Sequence, residues 1–175
     1  MLIISNHAQN IIDLPNHTII RINMAWIINL AQLEQILENN CNKDIFLDLP
    51  TGRTKPPQPM LGLQHAMYVM KKYINIKYFA VSNAEDSSEL AIFYSIIPNT
   101  VKIVPKIESQ AGVINLLGIV NVLKTDIVML DKEDLYMSVN KDSVCFNKLV
   151  NIMRKTCRDN NIKLLELKGV IFSDG

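Results

Sequence analysis

The chain has 175 residues, of which 49% are hydrophobic and 20% are charged, and its formal net charge is +1. This length predicts one domain over residues 1–175 with a substantial hydrophobic core. The lack of a basic cluster interleaved with aromatics argues against nucleic acid or an acidic membrane as a partner. No apolar stretch is long enough to span a bilayer, and three cysteines without paired spacing predict free thiols in a reducing cytoplasm.

Seven apolar runs of strand length recur along the chain. They lie at Leu2–Ser5, Thr18–Met24, Asp44–Leu49, Tyr78–Ser82, Val101–Ile107, Asp126–Leu130 and Lys163–Leu167. Most are rich in Ile, Val, Leu and Phe without alternating polar residues. This pattern is typical of strands covered on both faces, as in a parallel sheet.

Segments with helical character lie between these strands. They are Ile28–Asn39, Leu61–Tyr73, Ser87–Ile96, Gly112–Leu123 and Ser143–Asn160. The alternation predicts an α/β fold of the (β/α) TIM-barrel type. Such barrels usually need about 200–250 residues, so we expect a shortened or incomplete barrel whose eighth strand is missing or replaced. Exposed sheet edges would favour self-association, and we therefore expect a homo-oligomer.

The segment Pro50–Pro59 follows the third predicted strand and contains four prolines and Gly52. It cannot continue a helix or a central strand, so it is a stiff loop at the carboxyl ends of the strands, where sites form. Arg53 and Lys55 in this loop suggest anion binding. A rigid surface connection without a ligand is an equal alternative.

Two acidic residues mark the ends of adjacent predicted strands. Glu108 ends the fifth strand and Asp134 ends the sixth. Oxygen ligands from neighbouring parallel strands suit a hard divalent cation such as Mg²⁺ or Mn²⁺. Lys106 leaves the same face of the strand as Glu108 because it lies two residues earlier. A cation with a lysine beside it can stabilise an enolate, which indicates chemistry on a small keto acid.

The alternative for Glu108 and Asp134 is structural, because strand-end carboxylates also form salt bridges and helix caps. Asp131 and Glu133 share the second strand end with Asp134. Three acids within four residues either bind a cation tightly or form a solvated turn.

Five segments, in chain order, resemble pyruvate kinase within the phosphoenolpyruvate/pyruvate barrel superfamily. They are IIRINMAW at 19–26, FLDLPTGRTK at 46–55, YFAVSNAED at 78–86, IVPKIESQAG at 103–112 and IVMLDKEDL at 127–135. The fourth is the most specific, since it is close to the family's I-x-A-K-I-E-x-x-x-G. Each segment alone is a weak signal, but together they cover most of the chain in the right order. The resemblance implies that residues 1–175 form one pyruvate kinase-like barrel domain.

The resemblance implies a role for the residues at the strand ends. Glu108 and Asp134 would hold the Mg²⁺ or Mn²⁺ that chelates the keto-acid substrate. Lys106 would stabilise the enolate, and Arg21 would contact a transferred phosphate or an equivalent anion.

Further residues are expected around the substrate. Asn23 and Asp48 match the family's ligands for a monovalent cation, so K⁺ is an accompanying expectation. We also expect Asn23, Arg53 and Ser82 to bind the substrate.

The departures from the family pattern separate this chain from the kinase. The short segment after the third strand leaves no room for the family's lid domain, and we expect no C-terminal regulatory domain. Glu133 replaces a glycine that approaches the substrate carboxylate, and Ala25 replaces a serine of the monovalent-cation site. No arginine follows Ser82, and the catalytic threonine of the seventh strand has no counterpart. ATP synthesis is therefore not expected.

The sequence predicts a cytoplasmic, metal-dependent lyase or aldolase acting on pyruvate, phosphoenolpyruvate or a related 2-keto acid. The alternative is a non-catalytic relative that keeps the barrel as a ligand-binding or oligomeric scaffold. The observations that support this alternative are the loss of the family's threonine and arginine and the presence of Glu133, but the enzyme is the first prediction.

Overall fold

A computed structural model of the chain describes residues 2–5, 18–52, 56–168 and 171–174. Its described strands are β1 Leu2–Ser5, β2 Thr18–Asn23, β3 Ile45–Leu49, β4 Ile76–Val81, β5 Lys102–Ile107, β6 Ile127–Leu130, β7 Lys163–Lys168 and β8 Ile171–Asp174. Its described α-helices are α1 Leu30–Asn39, α2 Leu63–Lys72, α3 Ser87–Ile96, α4 Gln110–Ile114, α5 Leu116–Leu123, α6 Lys132–Ser138 and α7 Ser143–Asp159. None of these helices combines the length and the apolar composition needed to cross a membrane.

The strands form a closed ring in chain order, from β1 to β8. Neighbours from β1 to β7 pair in parallel, whereas β8 is antiparallel to both β7 and β1. An antiparallel partner needs only a tight turn and no crossover helix, so a short chain can still fill the eighth position. The predicted shortened (β/α) barrel is confirmed, with its eighth parallel strand replaced. The described strands form a closed ring and leave no open sheet edge. The expected homo-oligomer therefore stays a prediction, but exposed sheet edges no longer support it.

The predicted elements match the structure to within two residues at each end, with three differences. The predicted helix Gly112–Leu123 is two helices, α4 and α5, separated at Asn115. The sequence reading also missed β8 and α6. Both are short, with four and seven residues, so neither repeats a hydrophobic pattern long enough to be recognised.

Two layers of apolar side chains make up the core. Inside the barrel lies one cluster, formed by Ile19, Phe46, Ala80, Val104, Ile127, Met129 and Leu165. A larger cluster lies between the outer face of the sheet and the helices, and includes Ile22, Leu47, Phe79, Val128 and Leu130. Because side chains alternate along a strand, residues two positions beyond the inner cluster also point into the barrel, at its carboxyl end.

Candidate active site

A cleft of about 470 Å³ opens at the carboxyl ends of the parallel strands. Of the predicted site residues with a described position, six line the cleft: Arg21, Asn23, Ser82, Lys106, Glu108 and Asp134. Asp48 is fully buried and is not among the lining residues. Thr51 and Gly52 of the proline-rich loop also line the cleft. Arg53 and Lys55 lie outside the described residues, so their expected anion contacts stay predictions.

Three carboxylates converge at one wall of the cleft. Oxygens of Glu108, Asp131 and Asp134 all lie within 4.8 Å of one another. Glu108 directly follows β5, and Asp131 directly follows β6. Three oxygen donors at this spacing suit a hard divalent cation, which the sequence predicted for Glu108 and Asp134. The structure adds Asp131 to that pair.

The prediction that Asp134 ends a strand is wrong. The sixth strand stops at Leu130, and Asp134 lies in the first turn of α6. Asp131 caps this helix, since its Oδ1 accepts a hydrogen bond of 3.2 Å from the Asp134 amide. The cap explains why the chain turns into a helix directly after the strand. It also brings both aspartates to the wall occupied by Glu108.

Lys106 is buried beside the acidic triad, which we define as Glu108, Asp131 and Asp134. Its ammonium contacts several polar groups. Its Nζ lies 2.8 Å from Oε1 of Glu108 and 4.0 Å from Oδ1 of Asp48, and donates a 3.5 Å hydrogen bond to the Ser82 hydroxyl. Burial alone would lower the pKa of this ammonium, but the carboxylates of Asp48 and Glu108 outweigh burial and raise the pKa. Lys106 therefore stays charged at neutral pH, as stabilisation of an enolate oxygen requires.

Asp48 joins two of the strands at the floor of the cleft. Its carboxylate is fully buried and accepts a 2.9 Å hydrogen bond from Nε of Arg21, and Nη2 of Arg21 contacts the same oxygen. The register places Asp48 beside Asn23 on the adjacent strand. In the structure Asp48 thus contacts Arg21 and lies close to the Lys106 ammonium. Its expected role as a monovalent-cation ligand stays a prediction.

Neighbouring groups fix the orientation of Glu108. The Asn83 backbone N–H donates a 2.6 Å hydrogen bond to Oε2 of Glu108, while its side-chain amide donates one of 2.8 Å to the Thr51 carbonyl. Asn83 has a left-handed backbone with φ of 50°, a conformation that asparagine tolerates better than most residues. The sequence alone assigned no role to Asn83. The hydrogen bond between the Asn83 amide and Glu108 depends on the geometry of the loop, so no spacing in the sequence predicts it.

Asn23 has a local structural contact. Its Oδ1 accepts a 3.0 Å hydrogen bond from the Ala25 amide and caps the 3-10 turn at Met24–Trp26. The residue still lines the cleft. Its contact with substrate stays a prediction.

Acidic side chains outnumber basic ones around the cleft. The charged lining residues that the structure describes are Glu85, Glu108, Asp131, Glu133 and Asp134 against Arg21 and Lys106. Both basic residues already contact a carboxylate. A keto acid entering this cleft would meet net negative charge, which a bound divalent cation would offset.

No protein-family model and no curated protein matches the chain. Among solved structures, macrophomate synthase is similar with a TM-score of 0.62 and 13% identity, over 86% of this chain and 62% of that chain. Citrate synthase SbnG is similar with a TM-score of 0.62 and 12% identity, over 88% of this chain and 69% of that chain. The chain therefore spans less than two thirds of the first protein. At these identities the likeness establishes a shared α/β barrel fold, and neither neighbour is a pyruvate kinase.

Proposed function

We propose that this protein is a metal-dependent lyase or aldolase of the phosphoenolpyruvate/pyruvate barrel superfamily. Its substrate would be pyruvate, phosphoenolpyruvate or a related 2-keto acid, reacting through an enolate. The observation that carries the proposal is the meeting of Glu108, Asp131 and Asp134 beside the buried ammonium of Lys106. The two structural neighbours support the general kind of activity, because both are named as synthases.

Each residue has a distinct part in this proposal. Glu108, Asp131 and Asp134 would hold Mg²⁺ or Mn²⁺, which when bound supplies a Lewis acid for a keto oxygen. Lys106 would offset the negative charge that develops on the enolate oxygen. Arg21 would orient the substrate carboxylate or phosphate from the opposite side. Asn83, which donates its backbone N–H to Glu108, would hold this ligand in place.

Substrate contacts from Asn23, Ser82 and Arg53 belong to the same proposal, as does K⁺ as an accompanying ion. Asn23 and Ser82 line the cleft near Arg21 and Lys106. Location in the cytoplasm and self-association are further proposals that rest on sequence alone.

A non-catalytic ligand-binding barrel is the second candidate. Glu133 favours it, because this exposed acid lines the cleft where the family carries a glycine. Its charge would oppose a substrate carboxylate at that position. The two candidates differ in chemistry but share the metal site, so separate measurements are needed for binding and for turnover.

Metal binding can be tested by thermal unfolding with Mn²⁺, with and without oxalate as an enolate mimic. Ligand at 100 times its Kd adds about 2.7 kcal/mol of stability, which corresponds to roughly 5–10 °C for a chain of this size. We expect this shift in the wild type and its loss in Glu108→Gln. Glu133→Gln is the matched control, since it removes the same charge from the cleft but leaves the triad intact. An equal shift in Glu108→Gln would contradict direct ligation.

Turnover separates the two candidates. An enzyme that forms enolates exchanges the methyl protons of pyruvate for deuterium in D₂O, which NMR detects. With Mg²⁺ present we expect exchange well above that of a protein-free control. Stabilisation by Mn²⁺ and oxalate without any exchange would instead favour the ligand-binding barrel.

A further inference from the structure

Glu166 is a buried carboxylate that forms an ion cluster with two partly exposed basic residues outside the cleft. It lies on β7, is 5% exposed, and both of its carboxylate oxygens are engaged. Nε and Nη2 of Arg154 on α7 donate hydrogen bonds of 2.7 and 2.8 Å to the two oxygens. Nζ of Lys132 lies 2.5 Å from Oε2. The hydrogen bonds from Arg154 are the main reason that the pKa of Glu166 is lowered to about 2, and Lys132 lowers it further. Burial acts in the opposite direction.

This cluster faces the helices and not the barrel interior. Leu165 packs in the inner cluster, whereas Leu164 packs against the outer core. Glu166 shares the face of Leu164 because side chains alternate along the strand. It pairs in register with Leu130, which belongs to the same outer core. Glu166 therefore has no direct route to a substrate.

The cluster is nevertheless attached to the acidic triad through α6. Lys132 is the first residue of α6 and directly follows Asp131. Asp134 lies two residues later, in the first turn of the same helix. With only seven residues, α6 is too short to be stable by itself and depends on contacts with its neighbours. Leu135 supplies a buried apolar contact, and the Lys132–Glu166 pair fixes the start of the helix.

We infer that Glu166 is a positioning residue for the metal centre, holding the start of α6 through Lys132 so that Asp131 and Asp134 converge on Glu108. This inference rests on the proposed function. Arg154 orients the Glu166 carboxylate from α7, so the strand and two helices meet at one group. Groups that orient metal ligands typically change metal affinity by about 10–100-fold when removed.

The charge of Glu166 and its positioning effect have to be separated. Glu166→Gln removes a negative charge, so weaker Mn²⁺ binding would follow from the electric field alone. Lys132→Gln removes a positive charge next to Asp131, so the field alone would make Mn²⁺ bind more tightly. Loss of positioning instead predicts weaker Mn²⁺ binding in Lys132→Gln. This second variant therefore decides between the two explanations.

The experiment measures Mn²⁺ affinity by calorimetry and hydrogen exchange of the α6 amides in metal-free protein. Glu34→Gln is the control, because it breaks a 2.6 Å ion pair with Lys72 between α1 and α2, far along the chain from the triad. We expect both Glu166→Gln and Lys132→Gln to weaken Mn²⁺ binding about tenfold and to speed exchange in α6, with no change in Glu34→Gln.

Unchanged or tighter Mn²⁺ binding in Lys132→Gln would overturn the positioning role while leaving the proposed function intact. Unchanged exchange in α6 for both variants would overturn it as well. If the wild type binds no Mn²⁺, the proposed function fails, and faster α6 exchange would then reduce the cluster to a support for the fold.

Discussion

The buried pair of Arg21 and Asp48 gives a quantitative test of how the floor of the cleft is held together. We consider Asp48→Asn, which keeps the shape of the side chain but removes its charge. Asp48 is fully buried and the side chain of Arg21 is 14% exposed, so neither group is well hydrated. Removing one partner of a buried pair costs about 3–5 kcal/mol, because the other charge stays buried. The asparagine still accepts a hydrogen bond, so we expect the lower end, about 3 kcal/mol.

For a chain of this size the loss corresponds to a fall in Tm of about 6–12 °C. Urea denaturation of Asp48→Asn, Arg21→Met and the double variant measures the coupling directly. We expect the two effects to be non-additive, with about 2–3 kcal/mol of coupling. Asp126→Asn is the control, because its ion pair with Lys102 is exposed and should contribute less than about 1 kcal/mol. Additive losses, or equal losses in Asp48→Asn and Asp126→Asn, would refute the buried pair.

Three further outcomes are expected from contacts elsewhere in the structure. Lys106→Met should slow deuterium exchange of pyruvate by about 100-fold or more, because the enolate oxygen loses its ammonium partner. Its Mn²⁺ affinity, measured by calorimetry, should be kept or raised, because the ammonium no longer competes with the ion for Glu108. Glu166 has a folded pKa of about 2 against its usual 4.5, so its contribution to stability is present above pH 4.5 and is lost as pH falls toward 2. The side chains of Arg154 and Lys132 are 49% and 37% exposed, so we expect that contribution to be about 1–2 kcal/mol. In acid unfolding, Glu166→Gln should therefore lose about 1–2 kcal/mol less stability than the wild type as the pH falls. Gly112→Ala places a Cβ 2.6 Å from the Ala84 carbonyl oxygen, and urea denaturation should show a loss of about 2 kcal/mol.

The sequence predicted the barrel well because buried parallel strands carry a strong local signal. The run Asp126–Leu130, for example, contains four consecutive apolar residues, which indicate a strand without reference to its neighbours. Short elements carry no such signal. The four residues of β8 and the seven of α6 depend on partners that lie elsewhere in the chain.

The candidate site was predictable only in part, for the same reason. Lys106 and Glu108 share a face of one strand, so their spacing sufficed to place them together. The contact between Arg21 and Asp48 depends on the register of β2 and β3, across 27 residues of chain. The pairing of Glu166 with α6 depends on how that helix packs after β6. Such contacts follow from tertiary structure and have no signature in the sequence.

The central claim is that Glu108, Asp131 and Asp134 bind one divalent cation. A crystal structure of the protein grown with Mn²⁺ and oxalate, with data collected at a wavelength where manganese scatters anomalously, tests it most directly. We predict one strong anomalous peak among the three carboxylates, with oxalate between the ion and Lys106. A peak elsewhere, or no peak with the three side chains pointing apart, would contradict the metal site and the enzymatic activity inferred from it.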